Sequence, residues 1–345
     1  MKKRLAVLML AMTTLFVGCG NQQAENVENV EKQIEVAESA TLDEKWSIEI
    51  EHAFGSTVIE SKPERIVTLG WGNADTPLAL GVAPVGVSMA NYGYVTENNL
   101  HQWTDDAFAA LGVTNPTVFN DADGFDYEAI ADANPDVILA SYSGMTKEDY
   151  EILSQIAPTV PYKEHAWQTT WRQQTIENAT AMGMEEEGRA LVKETEDIIE
   201  AAKAKYPELD GVNCGFFWIS ADDMSTFYAY LPSDPRCAFL QDLGFTIPES
   251  ILSQQENDTD FSITLSREYV DQMSDVDIII VYGDDSLLEA LQADELMSTI
   301  PAVRNGAVVL LDSTTAMAAA TTPSILSIPG EVEEYLDMIN SVYSK

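Results

Sequence analysis

Residues Met184–Tyr206 read MEEEGRALVKETEDIIEAAKAKY, and the architecture of the chain turns on them. Met184, Leu191, Thr195, Ile198 and Ala202 recur at helical spacing, and Val192, Ile199 and Tyr206 widen the stripe. Glu185, Glu186 and Glu187 fill the first turn and Lys203 and Lys205 the last, the order that suits the helix dipole. Gly183 closes the preceding helix, and Pro207 cannot continue this one. At 1.5 Å per residue the segment is about 33 Å long, the width of a small domain. Residues 46–183 before it and 211–345 after it each read as an α/β unit. The spacing therefore predicts an N-terminal lobe, a long linking helix within 184–210 and a C-terminal lobe. A surface helix inside one domain is the alternative.

A chain of 345 residues suffices for two such lobes, and 46% apolar residues is the content of a globular protein. The charge is unusual: 57 acidic against 18 basic residues give a formal −39. Such a surface repels nucleic acid and anionic membrane, so neither is expected as a partner. It also serves as a solvation device in high salt, where screening removes much of the self-repulsion.

Met1–Arg4 is basic and Leu5–Gly18 is an apolar run of 14 residues, too short to span a bilayer as a helix. Residues 1–18 thus read as an export signal. The run ends in LFVGC, which resembles a bacterial lipobox and implies cleavage before Cys19 and lipid attached to its sulfur. A plain secreted protein is the alternative. Residues 19–45 are polar and acidic without turn grammar, an expected disordered tether.

A hairpin, SIEIEHAFGSTVIE, is expected to open the first lobe. The buried strand 65–71, a helix at 73–80, a strand at 85–88, a helix at 126–133 and a strand at 136–141 follow. Then come a helix at 147–156 and a strand at 159–160. The second lobe repeats the grammar with strands at 214–220, 226–230, 277–282 and 307–311. Its helices fall at 236–243, 266–273 and 287–291, and a last one runs over 324–340. This alternation predicts mainly parallel sheets with ligand groups in the loops after the strand C-termini. Those loops carry Trp71, Asn73 and Tyr142; further aromatics, Trp167, Trp171, Trp218, Tyr228, Tyr230 and Tyr282, lie at or near strand ends. Some must be core. Of the seven arginines, Arg172 adjoins Trp171, and Arg236 opens a helix, where its charge opposes the dipole. Both are cleft candidates; a salt bridge to a nearby carboxylate is the other reading.

DYEAIADANPDVIL and SREYVDQMSDVDIII share a layout, each with a glutamate (Glu128, Glu268) at a helix start and a buried strand opening on Asp eight or nine residues later. Helix capping explains that as well as docking does. There is no GxSxG, no GxxxxGK[ST] and no HExxH, and the three histidines are scattered, so neither enzyme nor metal site is expected. Cys214 and Cys237 are compatible with a disulfide or with two buried thiols.

Together PERIVTLGWGNADTPLALGVAPVGV (63–87), DYEAIADANPDVILASYSG (126–144), SDPRCAFLQDLGF (233–245), LSREYV (265–270) and IPAVRNGAVVLLD (300–312) resemble the iron–siderophore binding lipoproteins of ABC importers. These are helical-backbone, class III substrate-binding proteins of the ferric-hydroxamate and citrate type. The resemblance implies a non-enzymatic, monomeric receptor without cofactor, anchored by its N-terminal lipid to the outer face of the cytoplasmic membrane. A ferric siderophore would lie between the lobes, and Glu128 and Glu268 would dock onto arginines of the permease. Expected ligand contacts are Trp71, Asn73, Tyr142, Trp167, Arg172, Tyr228, Tyr230, Arg236 and Tyr282. Haem or cobalamin binding is the alternative within the class, with Tyr142 or Met317 as an axial haem ligand. An exported hydrolase is the alternative outside it. Two arginines among aromatic walls suit a neutral or weakly charged hydroxamate complex better than a tris-catecholate, whose three or so negative charges would need more cations.

Overall fold

The computed structural model describes residues 46–121 and 123–343. The expected signal segment, Cys19 and the acidic tether lie outside the described residues. From Ser47 onward the chain forms one compact unit built on two five-stranded sheets. A hairpin, β1 (Ile48–His52) with β2 (Gly55–Ile59), precedes the first sheet.

The first sheet comprises β3 (Ile66–Thr68), β4 (Gly86–Ser88), β5 (Val118–Phe119), β6 (Val137–Ala140) and β7 (Thr159–Pro161) in the order β5-β4-β3-β6-β7. All its pairings are parallel. Every residue of β3 and β6 is buried, as both faces of a parallel sheet require. The second sheet, β8 (Cys214–Trp218), β9 (Thr226–Tyr230), β10 (Ser262–Ser266), β11 (Ile278–Tyr282) and β12 (Val308–Leu311), has the order β10-β9-β8-β11-β12. Here β11 pairs in parallel with β8 and β12, while β9 and β10 add an antiparallel extension. Strand β10 goes beyond the sequence reading, because SITLS lacks a strong apolar alternation. The expected helix 266–273 is a 3-10 helix, Arg267–Gln272, and a helix over Gln102–Ala110 also went unread.

The linking helix runs without interruption over Glu185–Lys203. Its first half lies on the helix Trp171–Ala181, where Gly188 permits close approach: a Cβ there would stand 2.4 Å from Ala179 Cβ. Its buried stripe of Val192, Ile199 and Ala202 joins the core around the second sheet. Just beyond its end, Lys205 pairs with Glu333 at 2.5 Å and Tyr206 hydrogen-bonds Asp337, both on the terminal helix Ser327–Tyr343. Helix Trp171–Ala181 in turn packs on β1, β6 and the short helix Asp75–Ala79 of the first lobe. The helix is thus the predicted bridge. Cys214 and Cys237 are both buried free thiols.

Candidate functional site

A cavity of about 660 Å³ opens between the two sheets at the C-terminal edges of their parallel strands. The first lobe contributes Trp71, which follows β3, Tyr92, which follows β4, Tyr142, which follows β6, and Trp167. The second contributes Trp218, Tyr230, Arg236, Phe261 and Tyr282, with Ser313 and Thr322 at the rim. Trp218, Tyr230 and Tyr282 end their strands. Phe261 precedes β10 and lies beside Tyr230, because Ser262 pairs with Tyr230 across the β9–β10 ladder.

Trp71 donates its backbone N–H to Tyr142 O at 3.2 Å and its indole N–H to Thr322 O at 3.4 Å, tying one lobe to the other. Trp167 adopts a left-handed backbone, φ 61°, and remains 42% exposed, so its face is free for a ligand. It packs edge-on to Tyr142 with 5.4 Å between centroids and closes over Gly144, where a Cβ would stand 2.5 Å from the indole nitrogen. Any side chain at 144 would push Trp167 out of place. On the far wall Tyr230 meets Phe216 at 5.6 Å and Phe261 at 5.7 Å, and Tyr282 meets Tyr92 at 5.4 Å across the lobes.

Arg236 supplies the cation. Its guanidinium lies 3.8 Å from the Tyr230 ring centroid and donates to both carboxylate oxygens of Asp234, at 2.8 and 2.6 Å. Asp234 is fully buried and caps the helix Pro235–Asp242. Burial works against the guanidinium's charge, but the hydrogen bonds and charge of Asp234 outweigh it and hold the pKa above the ordinary arginine value. Burial also raises the phenols of Tyr142 and Tyr92, and Asp234 pushes Tyr142 further. The cleft therefore offers neutral aromatic walls, hydroxyl donors and one ion pair, with no net positive charge from Arg236 and Asp234 together.

Six of the nine expected contacts, Trp71, Tyr142, Trp167, Tyr230, Arg236 and Tyr282, line this cavity. The other three do not. Asn73 is fully buried: its amide donates to Leu69 O at 2.7 Å and Tyr142 O at 3.0 Å. Its oxygen accepts from Ser141 at 3.0 Å, Asn178 at 3.1 Å and Gln174 at 3.2 Å. It aims Trp71 and Tyr142 from behind rather than facing a ligand. Arg172 bonds Glu196 of the linking helix at 2.7 Å and Asp242 at 2.6 Å, over the Trp171 ring, and clamps the helices together behind the cleft. Tyr228 stands outside the cavity, 41% exposed, with its ring against Trp218. Tyr92 and Phe261 were not anticipated; the sequence signal for both is an aromatic in a loop at a strand end. Glu128 and Glu268 are exposed, each in the first turn of its helix and outside the cavity lining. Met317 is buried in the core around the second sheet. No group of metal-ligating side chains occurs among the described residues, and no described helix is long and apolar enough to cross a membrane.

Known proteins share this fold. Over 86% of its length the chain aligns with 99% of Streptococcus pneumoniae TIGR4 PiaA, solved in complex with ferrichrome, at a TM-score of 0.82 and 44% identity. Staphylococcus aureus SirA complexed with staphyloferrin B aligns over 85% of this chain and 98% of its own, at a TM-score of 0.65 and 25% identity. The Fe(3+)-citrate-binding protein YfmC of Bacillus subtilis strain 168 is 25% identical over 318 residues, 90% of this chain and 89% of that protein. A family model described as periplasmic binding protein matches residues 66–315, from β3 through β12, and the chain belongs to that family.

Proposed function

We propose that this protein is the extracytoplasmic receptor of an ABC iron importer. It captures a ferric siderophore between its lobes and passes it to the permease, with Glu128 and Glu268 docking on the permease and Cys19 carrying the lipid that holds a monomeric receptor at the membrane. The observation that carries the reading is the aromatic cleft whose one cation among the described residues, Arg236, is already matched by Asp234. A siderophore brings its own iron ligands, so its receptor needs apolar walls and a few donors, which this cleft has. The likeness to a ferrichrome-bound protein supports the same reading.

With its charge balanced inside the cleft, the site suits a neutral or weakly charged hydroxamate complex. A ferric tris-catecholate would bring about three negative charges against a neutral ion pair. Haem is disfavoured because a tyrosine axial ligand serves as phenolate, and burial pushes the Tyr142 phenol the other way. Quenching of tryptophan fluorescence decides the matter, since Trp71, Trp167 and Trp218 all face the cavity. Ferrichrome should quench saturably and bind at least tenfold tighter than ferric enterobactin; a preference for the catecholate would overturn the hydroxamate assignment.

A further inference from the structure

A second cavity, of about 330 Å³, lies in the first lobe and shares Trp71 and Trp167 with the interlobe cleft. It sits at the C-terminal ends of β3 and β4, and its walls differ in kind from those of the cleft. Asp75, Asp121 and Asp149 line it, and among the described residues neither lysine nor arginine does. Its histidine, His101, is pushed down to about 4 by burial and is therefore uncharged at neutral pH.

The three carboxylates are not equivalent. Asp75 is fully buried and accepts from Trp103 at 3.0 Å, Thr104 at 2.7 Å and Ser324. Thr146 and Tyr127 hold Asp149. The Asp121 side chain accepts from the Ser88 hydroxyl. Thr68, at the end of β3, also lines the cavity. It is 2% exposed, and its hydroxyl has no hydrogen-bond partner among the described residues. A buried hydroxyl without a partner is costly, and a donor arriving with a ligand would satisfy it.

We propose that this cavity is a subsite for a protonated amine arm of the ligand held in the interlobe cleft, with Asp121 and Thr68 receiving the ammonium. The proposal rests on the siderophore-receptor reading and extends it: the preferred chelates include linear ferric hydroxamates that end in a primary ammonium. At half the volume of the interlobe cavity, the chamber suits an arm rather than a whole chelate. An ammonium carries three donors and one positive charge, which suits carboxylates and an unpartnered hydroxyl. A carboxylate arm would meet Asp121 and Asp149 with like charge.

The experiment compares three probes on the full chain by tryptophan fluorescence: ferrioxamine B, which ends in an ammonium, its neutral N-acetyl derivative, and ferrichrome. About 0.3 M salt screens general attraction to a chain of formal charge −39. The wild type should bind ferrioxamine B at least fivefold tighter than the N-acetyl form. Asp121→Asn should bring that ratio towards one, and the near-isosteric Thr68→Val, which removes no existing hydrogen bond of that hydroxyl, should lower it as well. A wild-type ratio of one, or a ratio that neither variant moves, overturns the subsite while ferrichrome binding leaves the receptor reading standing. Failure of all three probes to bind overturns both.

Discussion

The two walls of the cleft aim their aromatic side chains by different means. In the first lobe a buried amide does it: Asn73 gathers Leu69 O, Tyr142 O, Ser141, Gln174 and Asn178 around one side chain and so fixes the loops that bear Trp71 and Tyr142. In the second lobe an ion pair and stacked rings do it, with Asp234 holding Arg236 against Tyr230 and Phe216 behind. The difference separates the residue that positions from the residue that touches. Asn73 never reaches the ligand space, whereas Arg236 does both jobs. A defect in the first wall should thus appear mainly as lost stability, and a defect in the second as lost stability together with lost affinity.

Arg236→Ala is the largest test of that contrast. It leaves Asp234 charged and fully buried, for which the helix N-terminus it caps compensates only in part. Breaking a buried pair from one side costs about 3–5 kcal/mol, and ferric hydroxamate affinity should fall by about tenfold or more as the cation–π wall is lost. Asn73→Ala comes next. Several buried polar groups lose their partner together, at roughly 1–3 kcal/mol for each left unsatisfied and less than additively, so a loss of about 3 kcal/mol is expected in denaturant unfolding. Its affinity should drop less than that of Arg236→Ala. The reverse order in ligand titration would mean that the first wall carries the recognition.

Asp75 sharpens the contrast through pH, because it belongs to the polar framework of the first lobe and reaches Ser324 across the seam. Burial raises its carboxyl to about 6, against the hydrogen bonds of Ser324, Thr104 and Trp103 that favour the anion. The folded protein then keeps a proton that the unfolded chain, titrating near 3.8, has already released. Its contribution to stability is full below about pH 4, declines as pH rises through 6 and is absent above. From the size of that shift the effect is on the order of 2–3 kcal/mol. Stability of the wild type relative to Asp75→Asn should therefore fall between pH 4 and pH 7. A flat difference over that range would show that Asp75 is not protonated on folding.

How far the site was legible depended on where each partner lies in the chain. The lobes, the linking helix and the aromatic loops follow from local pattern: apolar stripes, buried β-branched runs, and loops after strand ends. Arg236 was legible because it opens a helix, where its charge opposes the dipole, and the structure supplies the compensation two residues away in Asp234. Arg172 looked the same beside Trp171, but its partners Glu196 and Asp242 are 24 and 70 residues distant, and only folding shows that they draw it behind the cleft. Trp71 and Asn73 share one short loop, yet one faces the ligand space and the other the interior. Adjacency in sequence does not fix direction in a turn. Phe261 was hidden because it precedes β10, a strand whose weak apolar alternation gives no local signal, and it reaches the cavity only by pairing beside Tyr230.

The smallest effect on the ligand is expected where the two lobes are most alike. Glu128 and Glu268 each stand exposed in the first turn of a short helix, and neither lines either cavity. Hydrogen bonds from its own backbone N–H and from Ser266 keep the Glu268 carboxylate below the usual range. Removing both glutamates forfeits a favourable but solvent-screened interaction with each helix N-terminus, weaker still in salt. Neither wall of the cleft changes, so ferric hydroxamate affinity of the double alanine variant should stay within about twofold of the wild type. Transport into cells is the discriminating readout. If docking rests on one glutamate per lobe, the double variant binds its chelate normally and fails to deliver it, while each single variant keeps part of the activity. Normal uptake by the double variant would reduce both residues to helix-capping charges, and weakened chelate binding would place them nearer the ligand than either wall allows.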